Sequence, residues 1–188
     1  GQMQTGLEFC RDAGGFYYFD DDGYQKTGRV TSVECDDDDY TFYFNSKNGK
    51  NGLGVTGEKD GYLYFNGKRL EADDDYRLYY VAGDLYLVNT KGKIQNSKTG
   101  KYYKIENENI KNVPGIVANP KDEEEFEVKT SGDKVTHVGG VPESTMISDL
   151  SSDLNTTIAD MTNGSSEEKQ MEAISRDSFA VTIPSIEL

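Results

Sequence analysis

One histidine, two cysteines, four prolines and no tryptophan occur in 188 residues, and these shortages narrow the classes of function open to the chain. His137 stands in DKVTHVGG, which reads as a strand followed by a turn, with no Cys or Ser motif beside it. Nucleophilic and acid–base chemistry therefore find no constellation to build on. No P-loop, dinucleotide fingerprint or zinc spacing occurs, so no cofactor is inferred. Carboxylate pairs of the glycosidase kind are made by folding rather than by spacing, and nothing here singles one out. No run approaches the roughly 18 apolar residues of a membrane helix, and no charged-then-apolar leader opens the chain. Basic residues are scarce too. Lys and Arg number 20 against 34 Asp and Glu, and the net charge of −14 repels nucleic acid phosphates and anionic lipid alike.

Leu, Ile, Val and Phe together supply only 39 residues, near the limit of about 20% below which a chain this charged stays unfolded. Thirteen tyrosines make up the deficit, and the length suits one ordinary domain or two small ones. The composition breaks along the chain. Every Tyr precedes residue 104, whereas the prolines fall at Pro114, Pro120, Pro142 and Pro184, with the acidic stretch Asp122 to Glu125 between the second and third. This predicts a domain over 1–110, a linker over 111–125 and a small module over 126–188.

Internal repetition dominates the first part. Aromatic clusters recur as FYYFDDDG at 16–23, FYFNSKNG at 42–49, YLYFNG at 62–67, LYYVAG at 78–83 with LYLVNTKG at 85–92, and KYYKI at 101–105. The closing glycines, Gly1, Gly23, Gly49, Gly67 and Gly92, lie about 23 residues apart on average. Because Gly1 already belongs to this series, further sequence upstream of it is expected. After each glycine comes a second short segment, as in GYQKTGRV and GKIQNS, so the unit reads as a β-hairpin. One hairpin cannot bury its apolar face alone, and several must stack. The expected fold is mainly β: an N-terminal solenoid of stacked β-hairpin repeats, followed by a small α+β module.

The unit FYYFDDDGYQKTG, with its leading GQMQTG, resembles the cell-wall-binding repeat of the choline-binding type. Similar units occur in the glucan-binding domains of glucosyltransferases and in the C-terminal repeats of large clostridial toxins. The likeness is good over residues 1–30, fair to about 67 and loose to about 105. It implies a secreted or surface-attached bacterial protein of Gram-positive type, whose repeats hold a catalytic or adhesive partner region on cell-wall or other extracellular polysaccharide; the chain itself is read as non-enzymatic. The choline-binding version uses Trp in its cage, because aromatic faces attract a quaternary ammonium. This chain has Leu7 or Arg29 after the Thr-Gly and Phe16 before the Tyr pair. Tyr can instead meet a sugar's C–H face.

Alternation along FYYF sends Tyr17 and Phe19 to one face and Phe16 and Tyr18 to the other, so one face of each strand is core. Tyr18, Tyr43 and Tyr64 keep the most faithful register and are the foremost glycan candidates, with Tyr80 and Tyr103 in the looser units. Each is either a core residue with its hydroxyl satisfied or a groove-lining one. The clusters Asp20 to Asp22, Asp36 to Asp39 and Asp73 to Asp75 lack the alternating spacing of a calcium loop and read as solvated turns that protect strand edges. No metal site is assigned. Cys10 and Cys35 occupy one repeat position, each eight residues before a central Tyr, and read as two reduced thiols, with a bridge between neighbouring hairpins as the alternative.

Downstream, FEVKTSGDKVTHV at 126–138 reads as a hairpin about Ser-Gly-Asp. Met146, Ile147, Leu150, Leu154, Ile158 and Met161 recur at helical spacing, and Ser165 with Glu168 opens a second helix, giving an αα-hairpin. That apolar stripe packs within the module or docks a protein partner or a second copy of the chain. A polysaccharide-binding solenoid is the reading that results. The rivals are a structural spacer or adhesin stalk with a purely internal Tyr ladder, and a piece of an enzyme whose catalytic domain lies elsewhere.

Overall fold

The computed structural model describes residues 5–10, 15–35, 38–46 and 52–148. The chain is mainly β, in antiparallel sheets. Helical structure among the described residues is a 3-10 segment, Glu108–Asn112, and a turn of helix over 143–148. The strands are β1 (Gly6–Cys10), β2 (Gly15–Phe19), β3 (Gln25–Lys26), β4 (Gly28–Cys35), β5 (Asp38–Phe44), β6 (Gly57–Lys59), β7 (Tyr62–Phe65) and β8 (Lys68–Arg69). They continue as β9 (Arg77–Val81), β10 (Asp84–Val88), β11 (Lys101–Lys104), β12 (Ala118–Asn119), β13 (Asp122–Ser131), β14 (Lys134–Val138) and β15 (Val141–Pro142). The sheets run β1-β2-β3, β4-β5-β8-β7-β6, β10-β9 and β11-β13-β14-β15, with β12 also on β13.

Every aromatic cluster is strand, and after each but the last, KYYKI at 101–105, the chain turns back on itself. β3 pairs β2 through Phe19 and Gln25, Gly54 bridges Phe44, β8 pairs β7 through Phe65 and Lys68, and Ile94 bridges Val88. Two of these turns are the same object. Asp20 Oδ1 accepts from the N–H of Asp22 (3.0 Å) and Tyr24 (2.9 Å), while Gly23 N–H donates to the Asp20 carbonyl at 2.9 Å. Asn89 Oδ1 accepts from Lys91 (2.9 Å) and Lys93 (3.0 Å), and Gly92 N–H donates to the Asn89 carbonyl at 3.0 Å. In both, the glycine has positive φ, 85° and 81°, which the repeated Gly supplies without a Cβ clash. The acidic triplet at 20–22 is thus a turn organised by its first residue. The Tyr24 N–H is the main cause that holds the Asp20 carboxyl below its ordinary range.

Two hydrophobic cores result. The first gathers Phe16, Val33, Phe42, Phe44, Leu63 and Phe65 from β2 to β7; the second gathers Tyr103, Ile110, Phe126, Val128, Val138 and Met146. The hairpin β9–β10 serves both. Tyr79, Val81, Tyr86 and Val88 enter the first core, and Leu78, Leu85 and Leu87 enter the second, with Tyr80 packed against it. Strand alternation alone produces this division, since neighbours along a strand point to opposite faces. Fully burying such a side chain stabilises by about 1.5–3 kcal/mol. Burial also drives the Tyr79 phenol up to about 12, and its hydroxyl donates to the Glu71 carbonyl at 2.7 Å.

Residues 106 and 107 fasten the second core to the segment before β9. The Glu106 carboxylate accepts from the N–H groups of Asp73 (3.0 Å), Asp74 (2.5 Å) and Asp75 (2.7 Å), with Arg77 Nε at 3.6 Å. The third acidic cluster is therefore a turn whose amides hold a carboxylate. Asn107 clasps Leu78, accepting its N–H at 2.8 Å and donating to its carbonyl at 3.2 Å. The hairpin expected at 126–138 is β13–β14, and β13 begins four residues earlier. Residues 111–125, expected as a linker, contribute Val113 to the second core and the start of β13. There Glu125 pairs with Lys104 across the strands and Lys104 Nζ lies 3.6 Å from Asp122. Opposite charges on β11 let the acidic stretch join a sheet. Met146 is buried in the second core with Ile147 against it. The rest of the expected αα-hairpin, from Leu150 onward, lies outside the described residues.

Two substitutions check this account. Gly67 has φ 92°, and a Cβ there would lie 2.9 Å from Phe42 Cδ2 and 3.1 Å from Gly54 Cα. Gly67→Ala is expected to cost about 1–3 kcal/mol in urea unfolding. For Glu106, burial raises the carboxyl pKa, but the amides of Asp75, Asp74 and Asp73 together with Arg77 outweigh it and leave the value lowered. A depressed folded value means that its stabilisation is complete above the unfolded carboxyl range and is lost as pH falls through the folded value. Glu106→Gln should unfold at lower denaturant than wild type at pH 7, and the gap should close as the pH is taken below 4. A gap unchanged by acid would show that the carboxylate charge is not what matters.

Candidate functional site

The five-stranded sheet has one face in the first core and an opposite face that collects tyrosines and cations. On β5, Phe42 and Phe44 are buried, and Tyr43, between them, points the other way and is half-buried. On β7, Leu63 and Phe65 face the core, while Tyr62 and Tyr64 share the side of Tyr43. The Tyr43 and Tyr64 rings lie 5.6 Å apart and tilted. Arg69 of β8 covers this group: its Cζ is 4.0 Å from the Tyr62 ring centre and 5.5 Å from that of Tyr64, and Nη2 donates to the Tyr64 hydroxyl at 3.0 Å. Lys59 Nζ stands 5.7 Å from the Tyr43 ring. Lys68, one residue before Arg69, emerges on the opposite face and sits 4.0 Å over Tyr40.

Of the five tyrosines singled out in the sequence, the structure brings together Tyr43 and Tyr64. Tyr18 is half-buried and stacks on Phe44 at 5.9 Å. Tyr80 is half-buried against the second core, and burial followed by the charges of Glu143 and Asp84 raises its phenol pKa. Tyr103 is 7% exposed and meets Tyr76 edge-on at 4.8 Å, and Tyr64 is 1% exposed. Sequence reasoning missed Tyr62, Lys59 and Arg69. The signal was present in YFNGKRL: two cations in succession after an Asn-Gly turn must point to opposite faces, and each face here holds a tyrosine.

Cys10 carries a free, half-buried thiol, while the Cys35 side chain lies outside the described residues. His137 is exposed, with Nδ1 3.1 Å from Thr136 Oγ1. Among the described residues, no group of three or more His, Cys, Asp or Glu is arranged to hold a metal ion, and no helix is long and apolar enough to cross a membrane.

No family model and no curated protein matches the chain. Among solved structures it is similar to the choline binding domain of Spr1274 from Streptococcus pneumoniae, with 22% identity over 51% of this chain and 89% of that one. The TM-score is 0.18.

Chemically, the arrangement offers flat aromatic faces edged by fixed N–H donors. A cation resting on an aromatic ring contributes about 0.5–2 kcal/mol. Arg69→Ala should therefore lower stability in urea by about 1–2 kcal/mol, and Arg69→Lys should recover only part, since an ammonium cannot lie flat on Tyr62. An unchanged midpoint for Arg69→Ala would remove the stack from any structural role.

Proposed function

We propose that the chain is a non-catalytic binding module that attaches a secreted or surface bacterial protein to cell-wall or other extracellular polysaccharide. On this reading the hairpins up to β10 present the tyrosine-bearing face, and the sheet β11-β13-β14-β15 packs behind them across the shared hairpin β9–β10. The observation that carries this reading is the group formed by Tyr43, Tyr62 and Tyr64 with Lys59 and Arg69 on the sheet face turned away from the core. A pyranose presents an apolar C–H face to a ring and hydroxyls to neighbouring donors, and half-exposed Tyr43 and Tyr62 beside Lys59 and Arg69 match both needs. Tyr18, stacked on Phe44, and Tyr80 provide further half-exposed rings, while the buried Tyr64 backs Tyr43 and the buried Tyr103 meets Tyr76.

A structural spacer is the second reading. It draws support from the burial of Tyr64 and Tyr103 and from rings already covered by the chain's own cations. Retention on immobilised peptidoglycan and on α-glucan separates the two. Wild type should be held on at least one, and Tyr43→Ala and Tyr18→Ala should each weaken retention by about tenfold, the equivalent of one lost stacking contact of about 1.4 kcal/mol. Flow-through of the wild type on both supports leaves the spacer.

A further inference from the structure

A cleft of about 410 Å³ opens at the edge of the second core, where Ile105 lines it, within the volume range of small-ligand sites. Its walls come from Asp75 before β9, from residues 104–108 and Lys111, and from Glu124 of β13. Ile105 alone among the lining residues is apolar. A surface of this kind has little to offer an apolar ligand, whose burial requires apolar walls.

The cleft is also held in shape. Glu106 is fixed by three backbone amides and Arg77, Asn107 by both backbone groups of Leu78, and Lys104 by its ion pair with Asp122. The clasps join segments 18 to 33 residues apart, so the walls are set before any ligand arrives, which reduces the ordering cost of binding. Between the fixed groups stand exposed Asp75, Glu108, Lys111 and Glu124. The lining thus holds both carboxylate acceptors and ammonium donors. A hydroxyl both donates and accepts, and a compound with several adjacent hydroxyls matches such a lining better than a single charge does. Tyr102, 49% exposed, lies on the same side of β11 as the lining residue Lys104, two residues and about 7 Å along the strand.

We propose that this cleft, with the neighbouring Tyr102, is a second saccharide site, selective for a short run of neutral sugar over acidic sugar. Tyr102 receives the C–H face of one ring, and Glu108, Lys111 and Asp75 take hydroxyls of the next. Three exposed carboxylates, Asp75, Glu108 and Glu124, oppose a uronate. The inference deepens the polysaccharide reading and rests on it, but the residues are different from those around Tyr43.

The full chain is titrated with the N-acetylglucosamine tetramer and with tetragalacturonate, following backbone amide NMR shifts, with Tyr102→Ala, Glu108→Ala, Lys111→Ala and Tyr43→Ala in parallel and thermal melts as the folding control. The neutral tetramer is expected to move amides of residues 102–111 in wild type and in Tyr43→Ala. Tyr102→Ala and Glu108→Ala should each weaken it by about tenfold, with Lys111→Ala weaker by a smaller factor. Equal or tighter binding of tetragalacturonate overturns the stated selectivity. Binding of the neutral tetramer that all three cleft variants leave intact overturns the cleft site, as does absence of tetramer binding by a wild type that polysaccharide supports still retain; both spare the broader reading. A wild type that neither binds the tetramer nor is retained on either support overturns both.

Discussion

The hairpin β9–β10 is the constraint on which the rest of the molecule depends, because it is buried on both faces. Tyr79, Val81, Tyr86 and Val88 close the core of the aromatic repeats, and Leu78, Leu85 and Leu87 close that of the C-terminal sheet. A two-stranded ribbon has little stability by itself. Here it is sandwiched between two cores and serves as the wall common to both. The clasp at Asn107 falls on this wall, where the buried Leu78 amide needs a partner that water cannot provide, and the clasp at Glu106 holds the exposed turn just before β9.

The tyrosines divide the labour between stability and surface chemistry by strand alternation. Where a tyrosine shares its face with Phe42, Phe44, Leu63 or Phe65, it adds to a conventional apolar interior. Where it lies on the other face, it needs cover, and Lys59 and Arg69 supply it with long stems and charged heads. A chain poor in Leu, Ile, Val and Phe thus builds both sides of a sheet from rings. The proposed polysaccharide contact uses the side that the interior does not.

Much of the local structure was legible in the sequence. Alternation gave the strand character of the aromatic clusters, and the periodic glycines marked places where the chain reverses, as at Gly23 and Gly92. The residue that shapes those turns, Asp20 or Asn89, was visible only as a member of an acidic run or as an ordinary polar residue, since its role is a pair of hydrogen bonds to its own backbone. The expected linker failed to announce its strand because four consecutive acids look incompatible with a sheet until Lys104 on β11 is placed opposite. The tyrosines at 43 and 64 were found by register. Their partners at 59, 62 and 69 were not, because a cation over a ring is a contact between strands and leaves no period in the chain. The join at Glu106 spans more than thirty positions and has no local signature at all.

The shared wall has a consequence for anyone wishing to use the aromatic repeats alone. A fragment ending near residue 95 would keep the tyrosine-rich sheets but strip the covering from Leu78, Leu85 and Leu87, turning an interior into an oily exterior that invites self-association. A usable minimal version would need polar replacements at those three leucines, or else must retain everything through Met146.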